Sequence, residues 1–163
     1  MSSAAFAQPQ PSTGRAFPAI FFGGLLAGLG DITQAFVVFG HYSASATPFR
    51  ILQSIPRGIF GARVFQMGWT SAILGLVIHF TIAFTAAAVY WIASRRMRLL
   101  VDRPILFGLL YGEAVFLFMY FVVMPLSAIG FPKFGIATYI TGPLGHTVLV
   151  GLPISLMTRR FSR

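Results

Sequence analysis

FPAIFFGGLLAGLGDITQAFVVFG, residues 17–40, carries one charged residue, Asp31. It is longer than the roughly 20 residues a helix needs to cross about 30 Å of hydrocarbon. Three more such apolar runs follow, at 68–93, 104–128 and 136–157. Backbone groups in lipid must be satisfied within their own segment, so each run is read as a helix. The expected fold is all-α: an integral membrane protein of four transmembrane helices, with 17–160 as one domain.

Composition points the same way. The 163 residues are 56% hydrophobic and 9% charged, where a soluble domain carries about 25% charged residues. A net charge of +9 would suggest a nucleic-acid partner in a soluble protein. Here the basic residues sit at the edges of the apolar runs, where they set topology and meet headgroups. The lipid bilayer is the expected partner, and nucleic acid is not. With no cysteine, disulfides and thiolate metal sites are out of reach. Residues 1–16 are small, polar and proline-containing without a basic start, and are expected to be a disordered cytoplasmic tail and not a cleaved signal.

Orientation follows from the arginines and lysines beside each run. One side holds Arg15, Arg95, Arg96, Arg98, Arg103, Arg159, Arg160 and Arg163; the other holds Arg50, Arg57, Arg63 and Lys133. The excess places both termini in the cytoplasm. The first outer connection is too long for a plain hairpin. Within it, FRILQSIPRGIFGARVF (49–65) is expected to form a short interfacial or re-entrant helix, broken near Pro56 and Gly58. Ile51, Ile55 and Ile59 would line its apolar face, with Arg50 and Arg57 on another. Gln53 and Arg57 are expected on a solvated interfacial face, with headgroup contact or capping of the bundle as the functional alternative.

Each apolar run holds one ionisable group: Asp31, His79, Glu113 and His146. Such groups are costly in lipid and usually face the bundle interior. At 1.5 Å per residue, Asp31 and His146 lie level, about 14 Å from the outer end. His79 falls near the midplane and Glu113 nearer the inner end. One reading makes Asp31–His146 and Glu113–His79 register-fixing pairs. Another makes the four a proton or ion pathway, and a third a ligand or headgroup site. No closely spaced ligand pair suggests a metal, and no cofactor is implied. The chain shows no nucleophile–base arrangement, so it is not expected to be an enzyme.

Small residues mark the packing faces. Gly24 and Gly28 share a face with Asp31, and Ser71, Gly75, His79, Ala83 and Ala87 form a similar stripe. Gly108 and Gly112 repeat the G-L-L-x-G pattern of Gly24 and Gly28 at an offset of 84, and Gly142/His146 repeats Gly75/His79 at 67. These echoes suggest a duplicated two-helix unit with parallel repeats. Pro125, Pro143 and Pro153 are expected to be kinks or helix ends.

GLLAGLGD, ILQSIPRGIFG, HFTIAFTAAAVYWIASRR, GLLYG, MPLSAIG and Gly145-His146 together resemble the small four-helix bacterial inner-membrane proteins of the YagU-like kind. His79, Tyr90, Gly108, Gly112, Pro125-Leu126 and Gly145-His146 match in order, over most of 20–160. The resemblance implies a multi-pass protein of the bacterial inner (cytoplasmic) membrane. It implies no activity, because that family is essentially uncharacterised. The first functional expectation is a small structural or accessory protein that forms a homo-oligomer or packs on a larger complex. The alternative is a proton-linked small transporter or channel using Asp31, His79, Glu113 and His146.

Overall fold

The structure, a computed structural model, describes residues 15–131 and 136–162, with side chains except at 136–139. The expected tail up to residue 14, Lys133 and Arg163 lie outside the described residues. Among the described residues four helices are long and apolar enough to cross a membrane, as the apolar runs require. The first is α1 (Ala16–Tyr42) and the second α4 (Trp69–Arg96). A short helix, α5 (Leu99–Asp102), leads to the third, α6 (Pro104–Leu126). The fourth combines α7 (Ile136–Gly145) and α8 (Leu152–Ser162), joined by the π-helical turn His146–Gly151.

Two prolines explain the departures from α geometry. A π-helical stretch, Met119–Val123, interrupts α6 just before Pro125, and His146–Gly151 stands in the same relation to Pro153. Proline has no N–H for the carbonyl four residues back, so the preceding turn widens instead of keeping its ladder.

The connection between the first two spans holds α2 (Pro48–Ser54), α3 (Arg57–Phe60) and a 3₁₀ turn (Gly61–Gln66). Thr47 caps α2 by accepting from the Arg50 amide at 3.3 Å, with Pro48 at the first helical position. The break falls at Ile55–Pro56, and Gly61 and Gly68 take positive φ to turn the chain back into α4. The segment does not simply lie on the surface. It runs along α4 as far as Gly75, where an added Cβ would strike the Leu52 carbonyl. Gly75 is six residues into α4, about 9 Å along its axis. A glycine there lets two backbones meet, so the short helix sinks into the bundle.

Around the bundle the order is α4, α1, the fourth span, then α6. Gly24 packs against Phe84 and Gly28 against Phe80, joining α1 to α4. Gly108 packs against Gly151 and Ser155, and Gly112 against His146 and Thr147, joining α6 to the fourth span. Shifting the first set by 84 residues in the glycine and 67 in its partner yields Gly108 on Gly151 and Gly112 on Thr147. The packing register of the first helix pair therefore recurs in the second, with the offsets of the sequence echo. The fourth side is different. The backbones of α4 and α6 stay apart along most of their length.

Candidate functional site

We call the end of the bundle holding 43–68 the connection end, and the other the termini end. At the termini end α4 and α6 are tied through side chains. Tyr111 donates its hydroxyl to the Ala86 carbonyl at 2.7 Å, Tyr90 donates to the Leu100 carbonyl at 3.0 Å, and the two rings meet edge to face at 4.9 Å. At the connection end the α2–α3 segment bridges the same two spans. It rests on α4 at Gly75, and its Gly58 carbonyl accepts from the Ala128 amide at 2.8 Å.

Between these ties lies a cavity of about 1310 Å³. Along α1 its lining extends from Ala27 to Phe39, about 18 Å at 1.5 Å per residue. Ala27, Ala86 and Val150 are the lining residues farthest from the connection end; Ile78 and Ile82 of α4 and Met119 and Val123 of α6 also line it. The roof is α2–α3, with Arg50 and Arg57 exposed at the rim. A mostly apolar wall bearing a few placed polar groups is the usual character of a ligand site.

Three of the four expected ionisable residues, Asp31, His79 and His146, line the cavity. His79 Nε2 stands 2.9 Å from the Gly28 carbonyl, and only a protonated nitrogen can donate to that oxygen. His146 Nδ1 donates to the Gly142 carbonyl of its own helix at 3.1 Å, and Asp31 Oδ1 lies 3.6 Å from the same nitrogen. The expected Asp31–His146 partnership is thus present as a 3.6 Å contact, with the Nδ1 proton committed to a backbone carbonyl.

Glu113 is not part of this group. It is absent from the cavity wall, and His79 bonds Gly28, not Glu113. The inward face of α6 is fixed by Gly108 and Gly112, and one residue beyond Gly112 the helix has turned about 100°. Glu113 therefore falls on the face of Leu106, Leu110 and Leu117, all exposed. The four-group ladder of the sequence reading is corrected on this ground to three residues along one cavity wall, of which Asp31 and His146 are in contact.

Gln53 corrects a second expectation. Its side chain is 1% exposed, where a solvated face was expected. Its amide donates to the Gly68 carbonyl at 3.0 Å and to Ser71 Oγ at 3.2 Å, and Ser71 donates to the Val64 carbonyl at 2.6 Å. Gln53 therefore fastens α2 to the start of α4. Arg57 is exposed, as expected, and borders the cavity.

Sequence reasoning missed Gln34, which lines the cavity and donates to the Thr141 carbonyl at 2.6 Å. It was within reach: Gln34 follows Asp31 by three residues on the same face, and Gly145 supplies the space beside it. Among the described residues no three His, Asp or Glu side chains converge as a metal site would require.

The fold and site define a multi-pass helical membrane protein with a cavity between its spans. Comparison with protein-family models, with curated proteins and with solved structures finds no match.

Proposed function

We propose that this is a small membrane protein that binds a ligand inside its cavity, and that the Asp31–His146 contact holds the back wall in register. The cavity carries the reading, since it opens beside two exposed arginines and reaches mid-span polar groups. The packing-module reading has less support, because Gly24, Gly28, Gly75, Gly108 and Gly112 are all taken up against other parts of the same chain. A binding role, and not catalysis, suits polar groups that are already engaged with backbone carbonyls. A proton-linked carrier is the second reading; it draws on the cavity exposure of Asp31, His79 and His146 and would operate without Glu113.

We place the chain in the bacterial inner membrane with both termini cytoplasmic. The arginine distribution and the YagU-like motifs support this, and the kinship itself rests on those motifs alone.

The natural absence of cysteine makes the test direct. Ala35→Cys and Ile78→Cys line the cavity, while Val89→Cys sits on an exposed apolar face. In vesicles of phosphatidylcholine alone, a water-soluble maleimide should label the first two and spare the third. If the cavity positions label no faster than Val89→Cys, the reading fails.

A further inference from the structure

We propose that the ligand is a membrane lipid with an anionic headgroup, which enters sideways between α4 and α6 and leaves its headgroup at Arg50 and Arg57. This inference rests on the cavity being a ligand site and names the ligand's chemistry.

The route follows from what holds α4 and α6 together. They are tied by Tyr90 and Tyr111 at one end and by the α2–α3 segment at the other, and between the ties their backbones stay apart. Ile78 and Ile82 on one side and Met119 and Val123 on the other line the cavity along this seam, and Ile82 is 38% exposed. In a bilayer the seam faces hydrocarbon, so the molecules that reach it are those dissolved in the membrane.

The shape favours an acyl chain. A lining about 18 Å long along α1 is close to the roughly 15 Å of hydrocarbon in one leaflet. The volume of about 1310 Å³ exceeds the roughly 300–1,000 Å³ of ordinary small-molecule pockets. The polar groups on the wall do not oppose an apolar chain. His79, Gln34 and His146 each donate to a backbone carbonyl, and Asp31 lies against His146. A chain laid beside them leaves these bonds in place.

Charge selects the headgroup. Arg50 and Arg57 stand exposed at the rim, and the Arg50 guanidinium is held over the Phe65 ring at 5.3 Å. The chain's only acids are Asp31 at mid-span, Asp102 at the termini end and Glu113 in the third span, so no carboxylate neutralises this rim. Guanidinium forks match phosphate oxygens in geometry as well as charge.

The experiment uses Ile78→Cys in the full chain. Replacing part of the phosphatidylcholine with phosphatidylglycerol of the same chains should slow maleimide labelling, and native mass spectrometry should find the anionic lipid retained. The double variant Arg50→Gln/Arg57→Gln should weaken that protection about thirtyfold, at about fivefold per arginine near a membrane surface. Arg63→Gln, at the same end but off the cavity wall, should protect like the parent. Glycerol phosphate, which has no chain, should protect nothing. Equal protection by both lipids, full protection of the double variant, or protection by glycerol phosphate would each overturn the lipid assignment. Labelling in phosphatidylcholine that anionic lipid does not slow removes the lipid and leaves the cavity reading. No labelling in phosphatidylcholine removes both.

Discussion

Asp31 of the first span and His146 of the fourth face each other with 3.6 Å between Oδ1 and Nδ1, at the wall of the cavity. Their side chains are 25% and 21% exposed, so the pair is partly screened by whatever fills the cavity. His146 sits at the first residue of a π-helical turn, a deformation that often re-aims a side chain at a functional site. The carboxylate in the first apolar run thus has an identified neighbour on another helix.

A double-mutant cycle of Asp31→Asn and His146→Gln should show coupling of about 0.5–1.5 kcal/mol, the range of polar contacts between membrane helices. Unfolding in mixed micelles supplies the four stabilities. Strict additivity would mean the two residues are neighbours without interaction.

Gly112→Ala should destabilise by about 1–3 kcal/mol, because the new methyl meets the His146 carbonyl and the Thr147 backbone, neither of which can rotate away. Gly40→Ala is the control. Its methyl would meet only the Ala46 carbonyl at 3.8 Å, an ordinary contact, so stability should hold or rise by up to about 1 kcal/mol. Similar losses at both positions would contradict the packing described for α6.

Gln53→Met should cost about 1–2 kcal/mol by removing the donor to Gly68 and Ser71. Gln53→Glu should cost more. The Oε1 of Gln53 is buried without a hydrogen-bond partner, so a carboxylate there gains no donor and turns a second oxygen toward the Gly68 carbonyl. Unfolding midpoints in detergent rank the two variants, and glutamate tolerated better than methionine would refute the buried-tie assignment.

Tyr111→Phe removes the hydroxyl bond to Ala86 while keeping the ring on Tyr90. The expected loss is modest, about 0.5–1.5 kcal/mol. Tyr111→Ala removes the ring contact as well and should cost markedly more. The same unfolding assay distinguishes them, and equal losses would show that the ring adds nothing to the tie.

Hydropathy and small-residue periodicity by themselves determined four spans, the glycine faces of α1 and α6, and the level of Asp31 with His146. Those features depend on rise per residue and on which side of one helix a residue occupies, both legible in a linear string. The echo between GLLAG and GLLYG likewise carried the packing register, since close helix contact needs glycine at fixed spacing. What only the tertiary structure decided is which neighbour each face meets. Gly75 carries the stripe of a span-packing face, yet it receives the backbone of α2. His79 bonds a main-chain carbonyl, a partner every residue offers and no sequence pattern marks. Gln53 is buried because a short helix sinks beside α4, and one residue's rotation from Gly112 takes the half-buried Glu113 off the cavity wall. The cavity depends on two helices whose backbones stay apart between their side-chain and segment ties, and a gap between distant segments leaves no periodicity to read.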